Sequence, residues 1–156
     1  MIYLADTNIL LRFLHSTDNR HPIVRAAVEK LRASGHQLKT TPQNFTEFWR
    51  TSTRPIDKDG FGLTPLATDQ LLQIIEQHFP LLPDSPDVYS EWRHLVVTYG
   101  VSGAKVHDAR LVAAMICKRV THILTFNFKD FSRYKPEGIV AVDPASIAEI
   151  GILAGN

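Results

Sequence analysis

Residues 1–15 read MIYLADTNILLRFLH. Ile2–Ala5 is a short apolar run that stops at Asp6-Thr7-Asn8, a turn-forming triplet, and this predicts a buried strand ending there. Beyond it the rhythm changes. Ile9, Leu10, Phe13 and Leu14 recur at helical spacing, so a helix follows at once. A carboxylate thus stands where a strand hands over to a helix, with apolar burial on both sides of it.

The same alternation repeats down the chain. Pro22 fits the first turn of a helix carrying Val24, Val28 and Leu31 and ended by Gly35. "QLKTT" reads as a second short strand, followed by Pro42 and a helix through about Thr53. "RPIDKDGFGL", residues 54–63, reads as a mobile loop. Thr64-Pro65 and Ser85-Pro86 have the form of an N-cap with a first-turn proline, opening two more helices. "PLLP" between them is a candidate third strand. "HDARLVAAMICKRV" reads as a helix, "HILTF" as a strand, "NFKDFSRYKPEG" as a loop, "IVAV" as a last strand and "PASIAEI" as a terminal helix. Short apolar strands alternating with helices predict a three-layer α/β/α sandwich around a mainly parallel sheet.

With 156 residues, a single domain over residues 1–150 is expected, with 151–156 as a frayed tail. No run approaches the ~18 apolar residues of a membrane span, and no leader precedes the first strand. The single Cys117 forms no internal disulfide, which suits a cytoplasmic protein. Net charge is +1, yet the segment from Asp59 to Trp92 holds six acids and no Lys or Arg, leaving the rest at +7. The charge is therefore polarised along the chain.

In parallel sheets of this kind ligands bind beyond the carboxyl ends of the strands. Asp6 lies at such an end. Glu47 lies in the helix after the second strand, Asp108 opens the helix before "HILTF", and Asn127 and Asp130 follow that strand's tip. Each acid has a plain structural role open to it: Asp6 as a helix cap, Asp108 at a positive helix start, Glu47 on a solvated face. Massed in one cleft, however, carboxylates repel unless a cation sits among them, and magnesium or manganese accepts such oxygen ligands. Other chemistries have no support: no zinc-ligand spacing, no phosphate-cradling glycine motif and no nucleophile elbow occurs.

Four stretches in register, "YLADTNILLRFL", "TTPQNFTEFWR", "VHDARLVAAM" and "ILTFNFKDF", resemble the PIN-domain nucleases over Ile2 to about Val142. The likeness is strongest to the VapC-type toxins of bacterial type II toxin–antitoxin systems. The resemblance implies hydrolysis of RNA phosphodiesters with one or two Mg2+ or Mn2+ ions. It places Asp6, Glu47 and Asp108 on the family's acidic positions, with Asn8 and Thr46 as polar neighbours. The fourth position departs: some relatives carry an aspartate where Asn127 stands, and here the acid is Asp130. Asn127, Asp130 or both are left to complete the metal set, with Asp130 expected to face the site if one helical turn forms there.

Substrate candidates are Asn8, Thr46, Arg50, Arg110 and Lys129, the basic ones for phosphates flanking the cut; Arg54, Lys58 and Arg133 lie nearby. Implied partners are an RNA substrate, a small cognate antitoxin and a second copy in a homodimer. Phe45, Phe48 and Trp49 present an aromatic helix face suited to stacking bases, to the core or to a partner. The rival reading is a non-catalytic PIN-like interaction module.

Overall fold

The computed structural model describes residues 1–149. Ile150 and the expected tail at 151–156 lie outside the described residues. Four short strands, β1 (Ile2–Ala5), β2 (Gln37–Lys39), β3 (His122–Leu124) and β4 (Val140–Val142), form one sheet in the order β2-β1-β3-β4, every pair parallel. Among the described residues eight α-helices connect and cover them: α1 (Thr7–Leu14), α2 (His21–Ala33), α3 (Pro42–Thr53), α4 (Pro65–His78), α5 (Val88–Thr98), α6 (Val106–Cys117), α7 (Phe128–Phe131) and α8 (Pro144–Glu149).

Strand periodicity divides the core in two. Leu4 and Ile123 point to one face, against Leu95 of α5 and Val112 and Met115 of α6. Tyr3, Ala5 and Leu124 point to the other, against Ile9, Phe13, Val28, Phe48 and Ile75 from α1 to α4. Successive side chains of a strand alternate faces, so a sheet buried on both sides is apolar throughout. The α/β/α sandwich expected from the alternation of strands and helices is the fold.

Local chemistry sets the helix starts. Thr41 accepts from the Asn44 amide while the Asn44 side chain receives the Thr41 N–H, a reciprocal cap with Pro42 behind it. Thr64 caps α4 more simply, its hydroxyl accepting the Ala67 N–H at 3.2 Å, with Pro65 next.

Three expectations need correction. "PLLP" does not extend the sheet: Leu81 makes a single parallel bridge to Thr40, because prolines at both ends limit ladder formation. The stretch read as one loop after β3 contains α7 and a 3-10 turn over Ser132–Glu137. Residues 54–63, read as mobile, are tied back onto the end of α3. The N–H groups of Phe61, Gly62 and Leu63 donate to Thr51, Arg54 and Ser52 carbonyls at 3.1, 2.9 and 2.9 Å. Phe61 stacks on His15 with ring centroids 3.8 Å apart. Gly60 is required here, since a Cβ at that position would lie 1.9 Å from the Arg54 carbonyl oxygen. Arg54 itself donates to the Asp59 carbonyl at 2.8 Å, inside its own loop.

Candidate active site

Asp6 ends β1 and caps α1. Its Oδ1 accepts the Thr7 N–H at 2.8 Å, and its Oδ2 accepts from Thr125 Oγ1 at 2.7 Å and Asn8 Nδ2 at 3.1 Å. The capping role and the candidate site role therefore belong to the same side chain. Asp6 is only 7% exposed. All of these donors are neutral, and no Lys, Arg or His forms an ion pair with Asp6 among the described residues. Burial raises its pKa to about 6 against the pull of the Thr125 and Thr7 hydrogen bonds, and the charges of Glu47 and Asp108 push the same way as burial.

Glu47 is likewise held by neutral groups. Its Oε2 accepts from Thr7 Oγ1 at 2.7 Å, and its Oε1 from Gln43 Nε2 at 3.0 Å. Asn44 in turn donates to Thr7 Oγ1 at 3.1 Å, so the cap of α3 also fixes the hydroxyl that orients Glu47. Helical spacing puts Gln43 and Glu47 on one side of α3, four residues apart.

Asp108 and Asp130 are held differently. Lys105 Nζ lies 2.7 Å from Asp130 Oδ2 and 3.8 Å from Asp108 Oδ2. The Asp108 carboxyl is raised, first by burial; the charges of Asp130 and Glu47 add to this and Lys105 opposes it. The helical turn on which the Asp130 reading depends is present, with the Asp130 N–H donating to the Asn127 carbonyl at 2.9 Å. Asp130 pairs with Lys105, and among the described residues neither Lys129 nor Arg133 forms an ion pair with it. Asn127 is exposed and joins the network through its backbone N–H, which donates to Thr125 Oγ1 at 3.0 Å.

Other sequence candidates divide. Asn8 bridges the ends of β1 and β3, donating to Asp6 and Thr125 and accepting the Phe126 N–H at 3.2 Å. Thr46, Arg50 and Arg110 line one concavity of about 610 Å³ together with Thr7 and Glu47. Thr46 supports no acid: its hydroxyl donates to the Pro42 carbonyl at 3.0 Å, as a hydroxyl four residues into a helix commonly does. Lys129 is exposed and is not part of that concavity. Phe48 is fully buried and belongs to the core, whereas Phe45 and Trp49 are half-buried.

Thr7, Gln43, Asn44, Lys105 and Thr125 were not singled out by sequence reasoning, yet they hold the acids. Only Thr7 carried a signal, its place inside the turn triplet after β1.

The donor set suits a hard divalent cation. It is all oxygen, and Asp6 and Glu47 carry charge that no protein cation offsets. The four acids are not drawn into a closed cage. Among the described residues no three His, Cys, Asp or Glu side chains are gathered closely enough to enclose an ion, and the ammonium of Lys105 stands between the outer two.

Residues 3–136 match the model of the PIN domain family. The chain belongs to the PIN domain family. Its fold is similar to that in VapBC2 from Rickettsia felis bound to a promoter DNA fragment, at 17% identity and a TM-score of 0.67, covering 92% of this chain and 98% of that one. It is also similar to a toxin–antitoxin complex from Klebsiella pneumoniae (21%, 0.60, 91% and 97%) and to FitAcB from Neisseria gonorrhoeae (21%, 0.60, 92% and 98%). No curated protein matches the sequence. Among the described residues no helix is long and apolar enough to cross a membrane.

Proposed function

We propose that this protein is a metal-dependent endoribonuclease and the toxin of a toxin–antitoxin pair. The observation that carries the reading is Asp6: a buried carboxylate raised to about 6, with neutral hydrogen-bond donors, two acidic neighbours and no cation of its own. A protein keeps such a group where a ligand completes its electrostatics. Asp6, Glu47 and Asp108 would hold Mg2+ or Mn2+, with Asp130 and Asn127 at its margin. Such an ion would supply Lewis acidity for activating a water and for offsetting negative charge on the phosphoryl oxygens.

The chain's own residues do the positioning. Thr125 and Asn8 fix the Asp6 carboxylate, and Thr7 and Gln43 fix that of Glu47, so neither has to reorganise as charge develops. Arg50 and Arg110, on the wall beside Glu47, are placed to bind phosphates on either side of the cut. The similar structures are complexes with antitoxins, which supports a small protein partner here. Phe45, Trp49 and Leu72 line an apolar concavity between α3 and α4 suited to a partner helix. A homodimer and a cytoplasmic setting belong to the same reading.

The test is incubation of purified protein with RNA in Mg2+, in Mn2+ and in EDTA, alongside Asp6→Asn. Metal-dependent new RNA ends, absent from the variant, are expected. The rival, a non-catalytic interaction module, draws on one observation, the occupation of Asp108 and Asp130 by Lys105. It predicts a bound protein partner and no RNA cleavage in any metal.

A further inference from the structure

A second concavity, of about 360 Å³, adjoins the acid-lined cleft, and Asp84 and Arg110 line both. Its remaining wall is the start of α5, with Pro86, Tyr89 and Trp92. Tyr89 is 66% exposed, a large aromatic ring left on the surface. Trp92 beside it is held in place by its indole N–H, which donates to the Val106 carbonyl at 2.9 Å; the two rings are 6.0 Å apart.

A continuous run of side chains joins this shelf to the acids. Gln43 donates to Glu47 at 3.0 Å and accepts from Arg110 at 3.1 Å, and Arg110 donates to Asp84 Oδ2 at 3.3 Å. A strand whose phosphate lies against Glu47 and Arg110 therefore brings its neighbouring nucleotide over the shelf.

Charge identifies which part of that nucleotide enters. Asp84 lines the shelf, most of which is built from a stretch with no Lys or Arg from Asp59 to Trp92. Arg110, the cation of the lining, is already matched by Asp84. Beyond that pair the shelf offers a phosphate no further cation. A neutral aromatic base needs none: any base stacks on an aromatic ring, and a carboxylate accepts from the N–H groups on a base edge. We infer that this concavity is a subsite for one unpaired nucleobase of the RNA, stacked on Tyr89 and read along its N–H edge by Asp84. The inference rests on the ribonuclease reading and adds the group that gives the cut its sequence context.

The experiment measures binding of labelled single-stranded RNA oligonucleotides by anisotropy in the Asp6→Asn background, so that binding is read without cleavage. Adding Tyr89→Ala is expected to weaken binding roughly tenfold, and Tyr89→Phe, which keeps the ring, to restore it. Adding Asp84→Asn is expected to reduce the preference for amino-bearing bases over uracil at one position. An abasic residue at that position should abolish the effect of Tyr89→Ala. If RNA binds but Tyr89→Ala changes affinity less than twofold at every base, the subsite is refuted while the ribonuclease reading stands. If the unmutated protein neither binds nor cleaves RNA, both fall together.

Discussion

The two inner acids and the two outer acids solve the same electrostatic problem in opposite ways. Asp6 and Glu47 are surrounded by hydroxyls and amides that orient them but leave their charge uncompensated. Asp108 and Asp130 share the ammonium of Lys105, which sits on a flexible stem at the surface. Neutral hydrogen bonds aim a carboxylate without weakening its demand for a cation. An ion pair meets that demand but must be displaced, or share the acids, before another cation arrives. The inner pair is thus a rigid anchor and the outer pair an exchangeable one.

The sharpest way to break this contrast is Asp6→Asn. Cleavage is expected to fall roughly a thousandfold or more, while the fold persists, because asparagine also caps helices. Metal-free stability should rise at neutral pH. The sign follows from linkage. A folded pKa of about 6 above the ordinary 3.8 means that Asp6 favours the folded state below pH 3.8 and loses that advantage as pH rises through 6. The rise corresponds to roughly 3 kcal/mol. Urea melts in EDTA at pH 4.5 and 7.5 should therefore show the variant gaining on the wild type at the higher pH, and a pH-independent gap would remove the buried charge from the account.

Asp130→Asn comes next. Manganese affinity by calorimetry and cleavage rate should both drop, on the order of tenfold, less than for Asp6→Asn. An unchanged affinity would take Asp130 out of the site. Lys105→Met should act in the opposite direction, binding manganese several-fold more tightly because the competing ammonium is gone. Equal or weaker binding would show that Lys105 supports the site. The smallest effect is expected from Thr125→Val, which deletes one donor to Asp6 and keeps the volume. Its rate should fall a few-fold, and the midpoint of the Asp6 pH dependence should move upward.

The sheet and its helices were legible because strand and helix periods differ and proline, threonine and glycine punctuate their ends. The positions of Asp6, Asp108 and Asp130 were legible because they follow strand tips or open a helix, and that of Glu47 because it lies in the helix after the second strand. Lys105 was not. It lies in a stretch that reads as a plain loop, and its bond to Asp130 spans 25 residues of sequence that no local pattern connects. The anchoring of residues 54–63 escaped for a similar reason: glycine, proline and charge announce a turn, but not the carbonyls at the end of α3 that receive its N–H groups. Tyr89 escaped because one exposed aromatic carries no period.

The bond between Asp6 and Thr125 joins residues 119 apart, and β1 lies next to β3. During synthesis Asp6 is therefore made well before the hydroxyl that orients it and the strand that walls it in. A nascent or prematurely terminated chain that stops short of β3 carries Asp6 and Glu47 with no assembled centre around them. On the ribonuclease reading proposed above, the topology itself withholds activity until β3 has been made and has paired with β1.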